Sequence, residues 1–197
     1  MARYRGPSCR ICRAKAEKLF LKGKRCLSEK CGFNKRSYPP GSQGPNFKKR
    51  KISDYGEQLA EKQKAKYIYG ILERQFKNYF KKAKALSGLC GDNLLIMLER
   101  RLDNVIYRAG WVESRKEARQ MVSHNHLKVG GRKINIPSYL VKVAETIELD
   151  REPRLTAVNL PPWLKVEGKK IEVLRFPERK EIATPIEENK IVAFYSK

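Results

Sequence analysis

The chain has 197 residues, of which 41% are hydrophobic, and its formal net charge is +23 at pH 7. This hydrophobic content is enough for packed cores and excludes a disordered tail. The longest clear apolar run, residues 94–98, is far too short to span a bilayer. The N-terminus holds no apolar segment of signal-peptide length, so we expect a cytoplasmic protein.

The positive charge is unevenly distributed along the chain. Residues 1–91 hold 24 Lys and Arg against 6 Asp and Glu (+18), residues 92–150 hold 10 against 8 (+2), and residues 151–197 hold 10 against 7 (+3). Self-repulsion on this scale suits a protein that binds a polyanion, and nucleic acid is the leading candidate. An anionic membrane surface is the weaker alternative, because no segment has the long apolar face of an interfacial helix.

Residues 1–36 contain four cysteines with metal-ligand spacing, namely Cys9, Cys12, Cys26 and Cys31. Two close pairs of thiolates joined by a loop are what a tetrahedral metal needs, which favours a structural zinc ion without an open position. An iron–sulfur cluster uses the same four thiolates and stays an alternative. Two disulfides are a weaker one, because they are rare in a reducing compartment.

Residues 37–53 are predicted to form an extended linker. Proline and glycine at 39–41, 44 and 45 exclude a helix. Four successive cations follow at Lys48, Lys49, Arg50 and Lys51. We expect this basic arm to become ordered along phosphates on binding, with a solvated linker as the alternative.

Residues 54–91 are predicted to form a helical domain. Asp54 and Glu57 have capping-box spacing before a basic helix, Gly70 interrupts it, and a second helix covers residues 73–86. Residues 184–197 predict a terminal helix with an apolar face, which we expect to complete this domain. Residues 92–183 would then be an inserted α/β domain.

The inserted domain opens with two predicted helices. Apolar residues recur every three or four positions from Leu94 to Ala109, which predicts one amphipathic helix ending at Gly110. Ser114 and Glu117 have capping-box spacing, so a second helix begins near Arg115.

Cations lie at the start of that second helix, where the helix dipole disfavours them. Arg115 and Lys116 occupy the first turn, and Arg119 lies one turn further on the same face. Helix-start amides favour a phosphate at this place, which makes the cations candidate contacts for an anion. Ordinary solvated charges are the alternative.

A small antiparallel sheet follows the helices. Gly130 and Gly131 join two short alternating runs, as in a β-hairpin, and residues 146–149 form a further strand. Short strands and turns punctuated by proline extend the sheet in residues 160–182. The whole chain is therefore predicted to be an α+β protein with an N-terminal four-cysteine segment.

Residues 101–141, RLDNVIYRAGWVESRKEARQMVSHNHLKVGGRKINIPSYLV, resemble the RNA-binding module named after small-subunit ribosomal protein number four. We place the module at residues 99–150. The flanks show the same likeness in the cysteine set, SYPPGSQGP, SDYGEQLAEKQKAKYIYGILERQFKNYF and IVAFYSK. Nearly the whole chain thus resembles the bacterial family of that ribosomal protein, in its cysteine-containing, zinc-binding subgroup.

The resemblance implies a structural constituent of the small ribosomal subunit, not an enzyme. Such a protein binds small-subunit rRNA at a junction in the 5′ domain, starts assembly of the subunit body and contributes to translational accuracy. Its partners would be that rRNA, ribosomal protein number five and other small-subunit proteins, and messenger RNA on its way into the subunit. No membrane and no small-molecule substrate are expected.

We expect shape-directed clamping of RNA, through phosphate and 2′-hydroxyl contacts with little base readout. The residues expected to carry it are Lys48, Lys49, Arg50, Lys51, Arg115, Lys116, Arg119, His124, Asn125, Lys128, Arg132 and Lys133. His124 and His126 have H-x-H spacing but no evident third ligand, which favours phosphate contact or loop packing over a metal site.

Two other function classes match parts of the sequence. An RNA-modifying or synthetase-type enzyme could use the same module, but too little chain is left for a catalytic domain, and no catalytic motif is present. A zinc-dependent DNA-binding protein is the third interpretation, which a preference for duplex DNA over folded RNA would support.

Overall fold

A computed structural model describes residues 3–42, 44–46, 51–150, 152 and 160–196. Helices and a small antiparallel sheet make up this part of the chain, as the sequence predicts. The helices are α1 (Ser8–Lys15), α2 (Gly32–Lys35), α3 (Asp54–Ile68), α4 (Glu73–Lys84), α5 (Cys90–Glu99), α6 (Leu102–Arg108), α7 (Arg115–Ser123) and α8 (Glu188–Tyr195). The strands are β1 (Leu127–Val129), β2 (Arg132–Lys133), β3 (Thr146–Leu149), β4 (Leu164–Glu167) and β5 (Lys170–Val173).

The chain divides into two compact units. The first consists of Met1–Asn78 with Pro185–Lys197, and the second of Tyr79–Thr184. In neither is any described helix both long enough and apolar enough to cross a bilayer.

In the first unit, α8 packs against α3. The Glu73 carboxylate accepts hydrogen bonds from Lys62 Nζ at 2.8 Å, Lys66 Nζ at 2.9 Å and the Tyr195 hydroxyl at 2.9 Å. Burial acts to raise the pKa of Glu73, but these three hydrogen bonds lower it to about 2. Lys62 also lies 4.2 Å from the centroid of the Phe194 ring. The last helix is therefore held by one carboxylate and a cation over its aromatic residues.

The second unit contains the sheet, in the order β2-β1-β3-β5-β4 with antiparallel neighbours. Alternate residues of β3 and β5 are buried, as expected for a sheet with one face on a core. Helices α6 and α7 contact each other and share this core with the sheet. Its largest fully buried members are Trp111, Trp163, Leu102, Ile106, Leu127, Ile147 and Ile171.

The single helix predicted from Leu94 to Ala109 is wrong, because α5 ends at Glu99 and the chain leaves the helical conformation at Arg101. Arg101 has φ −65° and ψ 135° and forms an isolated antiparallel bridge with Leu140. Its side chain is fully buried, and Nε and Nη2 donate to the Asp103 carboxylate at 3.1 and 2.8 Å, while Nη1 donates to the Tyr79 hydroxyl at 2.8 Å. The break places this guanidinium in the core with its partners.

The helix start predicted at Ser114 is confirmed, whereas the cap of α3 is Ser53 and not the predicted Asp54. Ser53 caps α3, since its Oγ accepts from the Gly56 amide at 3.3 Å. Ser114 caps α7 in the same way through the Glu117 amide, also at 3.3 Å. The last helix begins at Glu188, later than residue 184, because the Thr184 hydroxyl accepts a hydrogen bond from Arg108 at 2.8 Å in the second unit.

Candidate nucleic-acid interface

The predicted hairpin is present, and it exposes cations at the edge of the sheet. β1 and β2 pair antiparallel with Val129 opposite Arg132, and Gly130 and Gly131 have φ of 54° and 79°. Positive φ at both turn positions is the conformation that favours glycine over other residues. Arg132 and Lys133 are exposed, and Arg132 makes no ion pair within the described ranges.

Like charges face each other across this hairpin. Lys128 lies directly opposite Lys133, an arrangement that destabilises a sheet. One carboxylate lies near both, with Asp150 oxygens 3.6 Å from Lys128 Nζ and 4.0 Å from Lys133 Nζ. A single half-exposed carboxylate offsets only part of a three-cation cluster, so this edge favours an incoming anion.

The side chain of Arg115 is held in place at the start of α7. Its Nε donates to Asn104 Oδ1 at 2.7 Å, and its guanidinium carbon lies 4.3 Å from the centroid of the Tyr107 ring. Asn104 is itself fixed, because its Nδ2 donates to the buried Glu99 carboxylate at 2.7 Å. The Glu99 carboxylate also accepts hydrogen bonds from Arg108 Nε and Nη2, each at 2.8 Å.

This network contains residues that sequence reasoning missed. Asn104 and Tyr107 were part of a continuous helix in the prediction, and no local motif marks them as partners of Arg115. A hydrogen-bonded and stacked guanidinium loses little rotamer freedom when it binds a phosphate. Asn104 and Tyr107 are therefore positioning residues for Arg115.

The other predicted RNA contacts of the second unit differ in exposure. His124 and Asn125 are exposed where α7 ends, with Asn125 in the left-handed conformation at φ 60°. Lys116 is half-buried. Arg119 is only 6% exposed, with Nη1 3.6 Å from Asp103 Oδ2. Its guanidinium belongs to the buried Arg101–Asp103 cluster, and a direct RNA contact by Arg119 stays a prediction.

The basic arm is described only at its end, where Lys51 is exposed; Lys48, Lys49 and Arg50 lie outside the described residues. A second basic surface, not predicted, is a cleft of about 650 Å³ in the first unit. Four cations line it, namely Arg10, Arg13, Lys35 and Arg36. Arg13 is oriented by hydrogen bonds to the Tyr38 and Pro39 carbonyls, at 2.9 and 3.3 Å.

The four predicted ligand cysteines lie in the first unit, close enough to affect one another. Burial raises the pKa of the Cys12 thiol, and the other three thiols add to the rise. Burial acts to raise the pKa of Cys31 as well, but the backbone amides of Asn34 and Phe33, with Lys18 and Arg25, lower it. The Lys22 amide donates to Cys26 Sγ at 3.3 Å.

The arrangement of the four cysteines does not by itself show a metal site. Within the described ranges, no three His, Cys, Asp or Glu side chains are arranged to hold one. The donor chemistry nevertheless fits a metal ion. A Cβ at Gly32 would lie 3.2 Å from Cys9 Sγ, so the glycine after Cys31 lets Cys9 and Cys31 approach each other. Amide-to-sulfur hydrogen bonds stabilise thiolates. The zinc site stays a prediction.

Comparison with known proteins covers most of the chain. The family described as ribosomal protein S4/S9 N-terminal domain matches residues 3–99, and the S4 domain matches residues 100–147. The small ribosomal subunit protein uS4 of Thermodesulfovibrio yellowstonii is 49% identical over 210 aligned positions, and that of Caldicellulosiruptor bescii is 50% identical over 210. Both alignments cover 100% of this chain and 100% of the relative.

The match to the S4 domain covers the hairpin, α6 and α7, the elements that position the cations described above. The match to the N-terminal domain covers the cysteines and the helices that precede the break at Arg101. On both grounds, and on identity over its full length, the chain belongs to the uS4 family of small ribosomal subunit proteins.

Proposed function

We propose that this protein is a structural, non-catalytic component of the small ribosomal subunit that binds its rRNA directly. The observation that carries the proposal is the family match: both domains follow each other over residues 3–147, and the relatives match from end to end. The net charge of +23 is typical of a protein that stays bound to a polyanion.

The mechanism is a clamp directed by RNA shape. In the second unit, Lys128, Arg132 and Lys133 form a cationic hairpin edge, and Arg115 is oriented at the start of α7. In the first unit, four cations line one cleft. Lys and Arg at such places neutralise phosphates and contact 2′-hydroxyls without reading base sequence. Lys48, Lys49, Arg50 and Lys51 would add phosphate contacts from the arm. Lys116 would do so next to Arg115 at the start of α7, and Asn125 at the other end of that helix.

The family resemblance refines this proposal. The RNA site would be the junction in the 5′ domain of small-subunit rRNA, where binding starts assembly of the subunit body. The protein would then contribute to decoding accuracy beside ribosomal protein number five, and contact messenger RNA where it enters the subunit. These partners follow from the resemblance and belong to the proposal.

We also propose that Cys9, Cys12, Cys26 and Cys31 hold one structural zinc ion. Supporting it are the C-x2-C and C-x4-C pairs, the glycine that admits Cys9, and the amide-to-sulfur hydrogen bond at Cys26. When bound, zinc would crosslink a short, highly charged segment that has little apolar core of its own.

Metal content tests the zinc site. Purified protein should contain one zinc per chain by atomic emission, and Cys31→Ser should reduce it, while Cys90→Ser, the matched control outside the set, should not. Iron with a visible charge-transfer band would favour a cluster instead. Absence of bound metal from protein purified without chelator would contradict the site.

Filter binding tests the RNA function. The full chain is titrated with the 5′ domain of small-subunit rRNA against excess tRNA across a salt series. We expect tight binding that survives the competitor and weakens linearly in log K against log salt. Equal affinity for tRNA would leave only a general basic RNA binder and would reopen the enzyme interpretation.

Two matched triple variants locate the interface. Replacing Lys128, Arg132 and Lys133 by Ala removes the β1–β2 cations, and replacing Lys165, Lys169 and Lys170 removes as many from the β4–β5 hairpin. The first should reduce the salt slope by about 2–3, at roughly 0.7–0.9 for each phosphate contact. The second should leave it unchanged, because those lysines are paired with Glu167, Glu152 and Glu148. Equal losses would refute a localised hairpin contact.

A further inference from the structure

A cavity of about 490 Å³ lies in the second unit, where α7 ends and β1 begins. Trp111, Glu117, Gln120, Met121, His124 and His126 line it, and Glu152 contributes a second carboxylate. Its volume is in the range of about 300–1,000 Å³ found for small-ligand sites. None of the phosphate contacts proposed above uses Trp111 or Gln120.

One buried donor at this cavity has no hydrogen-bond acceptor among the described residues. Trp111 is 1% exposed, and its indole Nε1 has no hydrogen-bond partner in the part of the chain that the structure describes. Buried indole N–H groups normally find an acceptor, because leaving one unpaired costs stability. An acceptor supplied by a bound partner would satisfy it.

The other polar groups of the cavity offer both hydrogen-bond acceptors and donors. The Glu117 carboxylate is held by the Glu113 amide, which donates to Oε2 at 3.1 Å. Gln120 is exposed and presents an amide that both donates and accepts. A mixed set of this kind matches the edge of a nucleobase, which carries donors and acceptors side by side.

Charge argues against a phosphate at this place. Glu117 and Glu152 are both acidic, although Glu152 already forms an ion pair with Lys169, and no Lys or Arg is among the described residues that line the cavity. Flat aromatic rings are present instead, since the imidazoles of His124 and His126 are nearly parallel at 16°, with centroids 6.1 Å apart. Unstacked RNA bases bind against the faces of such rings, whereas a phosphate would use only an N–H at the ring edge.

We propose that this cavity receives one unstacked nucleobase of the bound RNA. The face of the base lies against the imidazoles of His124 and His126, and Gln120, Glu117 and the Trp111 N–H read its edge. The proposal rests on the proposed rRNA binding and adds a base-specific contact to a clamp that otherwise follows the backbone. The carboxylate acceptor favours a base whose edge offers N–H groups, such as guanine, adenine or cytosine.

Chemical probing of the complex tests the proposal. The full chain is bound to the 5′ domain of small-subunit rRNA, then probed with reagents for base edges and with hydroxyl radicals for the backbone. Wild type should protect the edge of one unpaired nucleotide. Gln120→Ala and His124→Ala, both at exposed positions, should restore its reactivity and leave the backbone footprint unchanged.

Affinity and salt dependence give a second readout. Each of these variants should weaken binding roughly 5- to 100-fold, the effect of losing one base contact, with no change in the salt slope. Arg132→Ala is the matched control and should do the opposite, reducing the slope while the base stays protected. The chain has only two histidines, so their imidazole NMR signals report the cavity directly and should both shift on RNA binding.

Each possible result has a different interpretation. If the variants leave base reactivity and affinity as in wild type, the nucleobase site is refuted while rRNA binding stands. If they lower the salt slope, the cavity contacts phosphate and the base assignment is wrong. If wild type does not bind the 5′ domain in preference to tRNA, the proposed function itself fails.

Discussion

Asp103→Asn should destabilise the second unit by about 3 kcal/mol, because it leaves a buried guanidinium without its counter-charge. Arg101 is fully buried and Asp103 only 3% exposed, and two hydrogen bonds of 3.1 and 2.8 Å join them. The Tyr79 hydroxyl, 2.8 Å from Nη1, would remain as a neutral partner. Breaking a buried ion pair on one side typically costs about 3–5 kcal/mol, and Asn retains one acceptor, which places this variant at the lower end.

Urea unfolding followed by tryptophan fluorescence measures this loss. Both tryptophans of the chain, Trp111 and Trp163, are buried in the core of the second unit, so the signal reports that unit specifically. A loss of about 3 kcal/mol should move the urea midpoint down by roughly 1–3 M, for a slope of about 1–3 kcal/mol per molar.

Glu167→Gln is the matched control, since it removes a carboxylate from an exposed ion pair with Lys165 in the same unit. Its midpoint should stay at the wild-type value, because exposed pairs contribute little. If Asp103→Asn behaves like this control, the buried cluster does not stabilise the fold and the account of the break at Arg101 is refuted.

Three further perturbations have defined outcomes. Glu73 has a folded pKa of about 2 against an ordinary 4.5, so its stabilising effect is complete above pH 4.5 and is lost as the pH falls towards 2. The Glu73 side chain is 44% exposed, so we expect it to contribute about 1 kcal/mol to the free energy of unfolding. The stability difference between wild type and Glu73→Gln should be present at pH 6 and disappear near pH 2, and a difference independent of pH would contradict this expectation. Tyr107→Leu should weaken rRNA binding by about 0.5–1 kcal/mol by removing the ring under Arg115, while Arg115→Ala should make Tyr107→Leu silent; additive losses would refute the positioning role. Gly131→Ala should cost about 1–2 kcal/mol in urea unfolding, because φ is +79° there although the Cβ meets no atom within 4 Å; an unchanged midpoint would show that the turn relaxes.

Local features of the fold were predictable because their causes are local. Ser114 with Glu117, and Gly130 with Gly131, fix a helix start and a hairpin within a few residues, and the structure confirms both. The break at Arg101 was not predictable, because the apolar spacing of this stretch is helical throughout, whereas Arg101 bridges Leu140 and donates to the Tyr79 hydroxyl, both distant in sequence.

The candidate site also has a part that local sequence determines and a part that packing between helices determines. Exposed cations beside a tight turn follow from the turn itself, so Arg132 and Lys133 could be named from the sequence. Arg119 has the same charge and a helical position that pattern alone makes solvent-facing, yet it lies against Asp103. The contacts of Arg115 with Asn104 and Tyr107 depend on how α6 packs against α7, which the periodicity of the sequence does not reveal.

The packing of α8 against α3 also affects the order in which the chain can fold as it is made. Synthesis runs from the N-terminus at about 5–20 residues per second, so α3 emerges long before its partner. The second unit, Tyr79–Thr184, is complete in the nascent chain before the residues of α8 have been translated. The unit with the most basic stretch of the chain is thus the last to close, and a released chain truncated before residue 185 would contain the whole second unit but leave the first unit without α8.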